Sequence, residues 1–283
     1  MNGTMRNYSA LLRPRHWIKN LFLFAAPFFG GRLFESHTIS FALPAFLAYS
    51  FCASAVYILN DIMDVKADKL HPRKMRRPIA SGAVGRESAF AIAGLLAASS
   101  FALSLMISLY FSLFILIYLL VQASYSAFLK KIALLDIFCI SSGFVLRVLA
   151  GGAAFDVKVS QWLLLTMFTV SLAFGAGKRL SEFIILSGNA VEHRESLNGY
   201  SVATLSDIFL VAASSALVSY ALYTIEQAHQ LAFTVPIVTF SLFRYLILSR
   251  KGMGDPIEAL SKDKWLALSV AVWLILIGVI RYN

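Results

Sequence analysis

The sequence predicts an all-α membrane protein of nine transmembrane helices, and two observations lead to that class. Of the 283 residues, 59% are hydrophobic and 14% are charged, whereas a soluble domain is about 45–50% apolar and about 25% charged. Apolar runs also recur along the whole chain at the length of roughly 20 residues that a helix needs to cross a bilayer. This composition excludes a disordered chain, a fibrous repeat and a disulfide scaffold, and it disfavours a soluble enzyme.

Nine apolar runs are the predicted spans, of which the first and the fourth are short. They cover residues 17–31, 39–59, 87–106, 109–123, 132–153, 160–177, 204–223, 229–248 and 265–281. The polar stretches between them are too short for a separate soluble domain. We therefore expect residues 1–283 to form a single membrane domain.

The basic residues predict the orientation, because cytoplasmic loops of membrane proteins carry an excess of Lys and Arg. With the N-terminus in the cytoplasm, 20 of the 25 basic residues fall on the cytoplasmic side. Nine spans then place the C-terminus outside, in a cell (inner) membrane. The excess of 25 basic over 15 acidic residues indicates such loops and phosphate-bearing ligands rather than nucleic acid.

An acidic stripe follows the second predicted span. Asp61, Asp64 and Asp68 are three and four residues apart, with Asn60 one turn before Asp64, so a helix places them on one face. Carboxylates crowded beside an apolar span repel one another, and a divalent cation removes that conflict. Oxygen ligands combined with substrate phosphates suit Mg²⁺. The alternative is a solvated helix end that Lys66 and Lys69 neutralise.

A basic run over residues 71–82 comes directly after the acidic stripe. Its cations can contact a phosphate-rich ligand, bind anionic lipid or serve only as topological charge, and these interpretations stay open for the run as a whole. Arg77 is the stronger ligand candidate, because it precedes the small-residue turn of residues 78–82.

Two further groups of polar residues lie at later span ends. Lys178, Arg179 and Glu182 are spaced so that all three can face one cavity. Asp136 and Arg147 share one face of the fifth predicted span, and ionisable residues within a membrane are functional candidates by default. Arg147 lies deep for a contact with a phosphate at loop level, so a structural partner is its alternative.

The acidic stripe resembles the first signature of the UbiA-type prenyltransferase superfamily, and the resemblance covers essentially the whole chain. It implies a ring of helices around a cavity that opens to the cytoplasm, with acidic motifs that hold a prenyl diphosphate through Mg²⁺. The sequence departs from that pattern at residues 177–182, where a second Asp-rich motif is expected and a basic motif with one acid stands instead.

Several motifs are similar to one branch of that superfamily, the decaprenyl-phosphate phosphoribosyltransferases. They are the run from Arg13 to Asn20, Tyr125-Ser126 with Leu129-Lys130, Ser142-Gly143-Phe144 with Arg147 and Gly151-Gly152, and Gly177-Lys178-Arg179 with Glu182. The branch implies 5-phosphoribosyl 1-diphosphate as the donor and a polyprenyl phosphate as the acceptor, in the synthesis of a cell-envelope precursor. The oligomeric state is left open, with a homo-oligomer as one option.

We therefore expect a Mg²⁺-dependent phosphoribosyltransferase in which Asn60, Asp61, Asp64 and Asp68 hold the metal and the donor diphosphate. The residues expected to contact the phosphates are Lys19, Arg77, Tyr125, Lys130, Arg147, Lys178 and Arg179. Glu182 is expected to hold a ribose hydroxyl or to orient Lys178. The rival enzyme is a prenyltransferase that joins an isoprenoid diphosphate to an aromatic or other acceptor. A transporter or lipid carrier is disfavoured, since the charges collect at one face and no internal repeat is evident.

Overall fold

A computed structural model describes residues 3–70, 74–186 and 195–283, and within these ranges the chain is helical and contains no β-strand. The α-helices are α1 (Gly3–Leu12), α2 (Ala25–Phe29), α3 (Ser36–Met63), α4 (Val65–Leu70), α5 (Arg86–Leu105), α6 (Leu109–Ala127), α7 (Leu135–Phe155), α8 (Gln161–Leu186), α9 (Val202–Gln227), α10 (Val235–Arg250), α11 (Pro256–Lys262) and α12 (Lys264–Tyr282). Short 3₁₀ helices cover Pro14–Phe24, Lys74–Arg76, Leu129–Lys131, Glu195–Gly199 and His229–Thr234.

Eight helical segments of the described chain are long and apolar enough to cross a membrane: α3, α5, α6, α7, α8, α9, α12, and α10 together with the 3₁₀ turn before it. Each coincides with one of the last eight predicted spans, so the prediction of an all-α multi-pass protein is confirmed. Several helices continue past the apolar run into polar sequence. The acidic stripe and the basic motif of residues 177–182 consequently begin on helices rather than in loops.

The predicted count of nine spans is not confirmed, because the first run, residues 17–31, does not form a long α-helix. It lies mostly in the 3₁₀ helix Pro14–Phe24, followed by the five residues of α2. The 3₁₀ helix begins after Arg13, whose backbone is left-handed with a φ of 51°. With a rise of about 2.0 Å per residue, its 11 residues extend about 22 Å.

Two compact units make up the chain. The first comprises Met1–Pro27, Arg32–Leu129 and Leu146–Lys158, and the second comprises Phe28–Gly31, Lys130–Val145 and Val159–Asn283. In the first unit α3 packs against α5 and α6, and in the second α8 packs against α9 and α10, with α12 on α10. The predictions of a single domain and of a cavity open to the cytoplasm stay predictions.

The 3₁₀ helix of the first unit lies along one stripe of α3. Asn20 donates to the Ser50 hydroxyl at 3.0 Å, and the Trp17 indole donates to the Ser54 hydroxyl at 3.0 Å. Because a 3₁₀ helix repeats every three residues, Trp17 and Asn20 lie on the same side of it. These polar contacts hold the 3₁₀ helix against α3.

The same 3₁₀ helix also contacts α7 at two successive turns. Arg147 Nε donates to the Asn20 side-chain oxygen at 3.0 Å. One turn later Gly151 meets the backbone of Leu23 so closely that an added Cβ would lie 1.8 Å from the Leu23 carbonyl oxygen. Only glycine allows this approach.

Replacing Gly151 with alanine should therefore destabilise the protein by about 1–3 kcal/mol, because overpacking forces the backbone apart. The measurement is thermal unfolding in detergent. Gly94→Ala on α5 is the matched control, since a Cβ there meets nothing within 4 Å and should leave stability unchanged or slightly raised. Equal melting temperatures for the two variants would contradict the close packing of α7 on Leu23.

Candidate active site

The acidic stripe begins near the end of α3 and continues onto α4. Asp61 and Asp68 are buried, with 3% and 2% of their surfaces exposed, and Asp64 is half-buried. Helix α3 ends at Met63, but the Asp68 amide still donates to the Asp64 carbonyl at 2.8 Å. The helical turn therefore continues through the break, and Asp61 and Asp68 stay on one side of it, as predicted.

Arg77 bridges the two buried carboxylates. Its Nη1 atom lies 2.9 Å from Asp61 Oδ1 and 2.6 Å from Asp68 Oδ2. Arg77 is carried there by the turn that the sequence predicted, in which the Ser81 amide donates to the Arg77 carbonyl at 2.9 Å and Gly82 takes a φ of 79°. Residues 71–73, the start of the predicted basic run, lie outside the described residues.

Arg13 is a second partner of Asp61. Its Nη2 atom lies 2.5 Å from one carboxylate oxygen of Asp61 and 2.8 Å from the other. The Arg13 guanidinium also lies over the Tyr57 ring, 5.3 Å from its centroid. The structure thus assigns the neutralising charges to arginines, whereas the sequence alternative assigned them to Lys66 and Lys69, which are exposed. Sequence reasoning missed Arg13, although it begins one of the quoted motifs.

The oxygen donors of this site fit a magnesium ion. The Asn60 amide donates to the Asp64 carboxylate at 3.1 Å, one helical turn away, so it lies beside a carboxylate of the acidic stripe. Among the described residues no three His, Cys, Asp or Glu side chains form a ready metal cage. Mg²⁺ seldom uses one, because it is usually bound by one or two carboxylates together with substrate phosphates and water. Its assignment to Asn60, Asp61, Asp64 and Asp68 stays a prediction.

The basic motif of the second unit contains a buried ion pair. Arg179 is 1% exposed and Asp136 is fully buried, with Arg179 Nε 2.7 Å from Asp136 Oδ2. Arg179 Nη1 also pairs with Glu182. The structure therefore joins Glu182 to Arg179, whereas the sequence placed it beside a ribose hydroxyl or Lys178.

Hydroxyl groups complete the surroundings of Asp136. Ser196 and Tyr200 donate to its two oxygens at 3.0 and 2.8 Å. Burial raises the pKa of Tyr200, so its phenol stays protonated and can donate. The Leu134 amide in turn donates to the Tyr200 oxygen at 2.6 Å. Asp136 thus joins the start of α7 to α8 and to the segment that precedes α9.

Lys178 differs from its neighbour, because 36% of its side chain is exposed and its Nζ atom lies 3.8 Å from Asp255 Oδ2. The loop before α11 approaches α8 closely here, since a Cβ on Gly254 would lie 2.8 Å from the Gly177 carbonyl oxygen. The structure therefore separates the motif into a buried arginine and an accessible lysine. The expectation that Lys178, Arg179 and Glu182 all face one cavity did not distinguish these environments.

Arg147 lies in a different network from Asp136. It is 4% exposed, and it donates to Asn20 and, at 3.0 Å, to the Tyr118 hydroxyl. Eleven residues of α7 separate it from Asp136, or about 16 Å along the helix. The structure therefore does not bring the two residues together, although the sequence placed them on one helix face. Its contacts with an amide and a phenol favour the structural alternative over a phosphate contact.

Three remaining candidates are all half-buried. Lys19 is half-buried on the 3₁₀ helix Pro14–Phe24, Tyr125 is half-buried near the end of α6, and Lys130 is half-buried in the 3₁₀ turn Leu129–Lys131. Their roles as phosphate contacts stay predictions.

Comparison with known proteins identifies the family. A model of the UbiA prenyltransferase family matches residues 20–260. The chain belongs to the UbiA prenyltransferase family. The resemblance that the acidic motif indicated is thereby confirmed, and with it the prediction of an enzyme: a membrane-embedded transferase.

Curated relatives within the UbiA family match nearly the whole chain. Decaprenyl-phosphate phosphoribosyltransferase of Mycolicibacterium smegmatis is 34% identical over 96% of this chain and 91% of its own length. The protein of the same name from Corynebacterium glutamicum is 33% identical over 96% of this chain and 85% of its own length.

A solved structure shows the UbiA fold independently. A UbiA homologue from Archaeoglobus fulgidus, bound to GPP and Mg²⁺, superposes on this chain with a TM-score of 0.78 at 18% identity. The match covers 98% of this chain and 99% of the homologue. At that identity the likeness establishes the fold alone.

Arg179→Met should strongly destabilise this UbiA-family protein, because it leaves the Asp136 carboxylate buried without its charge partner. Breaking a buried ion pair in this way costs about 3–5 kcal/mol. Lys178→Ala, one residue earlier and partly exposed, is the control and should unfold like the wild type. Thermal unfolding in detergent measures both, and a wild-type melting temperature for Arg179→Met would refute the structural role of the pair.

Proposed function

We propose that this chain transfers 5-phosphoribose from 5-phosphoribosyl 1-diphosphate to a polyprenyl phosphate and releases diphosphate, in a Mg²⁺-dependent reaction. The observation that carries the proposal is the similarity to decaprenyl-phosphate phosphoribosyltransferases at 33–34% identity over 94–96% of this chain. The acceptor would accordingly be of the decaprenyl-phosphate type.

The charges of the second motif support the same substrates. A prenyl diphosphate needs one diphosphate site, whereas this reaction also involves a phosphate on the ribose and a phosphate on the acceptor. Additional phosphates require cations rather than a second set of carboxylates. Lys178 provides an accessible cation where an ordinary prenyltransferase of the superfamily is expected to carry an Asp-rich motif.

The proposed reaction forms one bond and breaks one bond at the anomeric carbon. A phosphate oxygen of the acceptor forms the new bond to that carbon, and the bond to the diphosphate oxygen breaks with its electron pair on diphosphate. The acceptor is largely dianionic at neutral pH, since the second pKa of a phosphate monoester is about 6. The protein therefore needs no strong general base, and its contribution is positioning and stabilisation of the leaving charge.

In this proposal the acidic stripe binds the donor diphosphate. Asn60, Asp61, Asp64 and Asp68 would hold Mg²⁺, which when bound stabilises the negative charge of the leaving diphosphate. Arg77 already lies on Asp61 and Asp68 and adds a cation beside that diphosphate. Lys178, Lys130, Lys19 and Tyr125 would bind the remaining phosphates. Arg147 and Arg179 are better explained as structural residues.

We further propose that the N-terminus and the active site face the cytoplasm of a bacterial-type inner membrane. A C-terminus on the outer side requires that residues 14–29 also cross the bilayer. The 3₁₀ helix and α2 together are about 30 Å long if collinear, which matches the thickness of the hydrocarbon core. The proposed partners are thus a lipid phosphate and a soluble sugar diphosphate.

A prenyltransferase activity is the second candidate, and the solved UbiA homologue bound to GPP and Mg²⁺ is the observation that favours it. The two activities differ in the donor. Purified protein would be incubated with polyprenyl phosphate and either phosphoribosyl diphosphate or geranyl diphosphate, with Mg²⁺ or with EDTA. We expect a lipid product heavier by one phosphoribosyl group, by mass spectrometry, with the first donor and Mg²⁺ only.

Lys178→Ala provides the residue-level arm of the same experiment. Losing a hydrogen bond to a charged group costs about 1.5–3 kcal/mol, so KM for donor or acceptor should rise about tenfold to a hundredfold. Lys251→Ala, an exposed lysine after α10, is the control. Prenylated product from geranyl diphosphate, or product formed in EDTA, would overturn the proposed reaction. An unchanged KM in Lys178→Ala would remove that residue from the site.

A further inference from the structure

The segment between α3 and α5 lies at the membrane surface, because the two helices are consecutive membrane-spanning segments. Its short helix α4 has two different sides. Val65 and Asp68 are buried, whereas Lys66 and Lys69 are exposed and Leu70 has 87% of its surface exposed. The exposed side of α4 therefore presents an apolar side chain beside two cations.

The 3₁₀ turn Lys74–Arg76 extends the same pattern. Lys74 and Arg76 are exposed, and Met75 between them is 50% exposed. Arg77, the next residue, turns inward to Asp61 and Asp68. Among the described residues of the segment, Asp68 is buried against Arg77, whereas the cations at positions 66, 69, 74 and 76 are exposed.

We propose that this outer side is a binding surface for the headgroups of anionic phospholipids. The headgroup surface consists of Lys66, Lys69, Leu70, Lys74, Met75 and Arg76. Basic residues beside a bilayer attract anionic headgroups, and apolar side chains among them insert at the boundary between headgroups and acyl chains. The headgroup surface has both basic and apolar exposed side chains, and it lies at the level of the lipid headgroups.

A second group of lysines offers an internal comparison. Lys251, Lys262 and Lys264 are exposed around α11, but acidic residues are interspersed among them. Glu258 lies 2.5 Å from Lys262, and Asp255 lies 3.8 Å from Lys178. This region also offers three cations to replace, but its local charges are of both signs, so it should not concentrate anionic lipid.

The headgroup surface also joins lipid binding to the acidic stripe, because Lys69 and Asp68 are neighbours on α4 and Arg76 precedes Arg77. A lipid bound to the headgroup surface would restrain the segment whose Arg77 side chain contacts Asp61 and Asp68. The lipid inference itself does not depend on the substrates proposed above, so its test uses lipid binding rather than turnover.

The experiment is a titration of purified full-length protein in detergent with palmitoyl-oleoyl phosphatidylglycerol or the corresponding phosphatidylcholine, with bound lipid counted by native mass spectrometry. The test variant is Lys66→Gln/Lys69→Gln/Arg76→Gln, and the control is Lys251→Gln/Lys262→Gln/Lys264→Gln. Each removes three positive charges. A second test variant, Leu70→Ser, keeps every charge. Thermal unfolding without added lipid reports whether each variant is folded.

We expect the wild type and the control to bind phosphatidylglycerol more tightly than phosphatidylcholine. The test variant should bind phosphatidylglycerol more than about tenfold more weakly, since each basic residue beside an anionic surface contributes about fivefold. Leu70→Ser should weaken both lipids severalfold.

Three results would overturn the proposal. One is wild-type phosphatidylglycerol affinity in the triple test variant, and another is an equal loss in test and control variants, which would reduce the effect to net charge. The third is the absence of any preference in the wild type, which would leave the cations as topological charge or as a contact for an acidic protein. If the triple variant does not fold, Leu70→Ser and the wild-type lipid preference decide.

Discussion

Charge that is buried in a membrane-spanning helical protein must be paired or hydrogen-bonded, and this constraint organises both units of the structure. Burying an ion costs several kcal/mol, and removing one partner of a buried pair leaves that cost uncompensated. In the first unit Arg77 bridges Asp61 and Asp68, and Arg13 also pairs with Asp61. Each buried carboxylate of the acidic stripe thus has a guanidinium within salt-bridge distance.

The same constraint explains how elements distant in sequence are held together. Arg13 and Asp61 are separated by 48 residues, so their pair ties the N-terminal segment to α3. Asp136 joins α7, α8 and the segment before α9 through Arg179, Ser196 and Tyr200. Several of these residues are candidates for substrate contacts from their positions in the sequence. In the structure, however, part of their charge pairs with other residues of the protein. Accessible cations such as Lys178 therefore carry more of the proposed phosphate binding.

Much of the fold and some of the site could be predicted from the sequence, for identifiable reasons. Hydropathy identified eight helices because each contains an apolar run long enough to cross a bilayer. The span predicted over residues 17–31 is not confirmed, because these residues lie mostly in a 3₁₀ helix and the short α2 rather than in a long α-helix. Helical spacing brought Asp61 and Asp68 together correctly. It could not reveal Arg13 as a partner of Asp61, because that contact is between segments far apart in the chain.

Local spacing also could not separate Lys178 from Arg179. Consecutive helical residues point about 100° apart, and which of them is buried depends on what packs against the helix. Here Asp136 approaches from α7 and buries Arg179, while the loop before α11 meets Lys178. The family resemblance was carried by motifs whose spacing is local, and it was confirmed over residues 20–260. The environment of each charge required the tertiary structure.

The most direct test of the pairing account is a double-mutant cycle on Arg77 and Asp68. The free energy of unfolding would be measured in detergent with EDTA for the wild type, Arg77→Gln, Asp68→Asn and the double variant. If the two side chains compensate each other's charge, the double variant is less destabilised than the sum of the single variants, by about 0.5–3 kcal/mol. Additivity within about 0.3–0.5 kcal/mol would contradict the account, since it would mean that the buried carboxylate does not depend on Arg77.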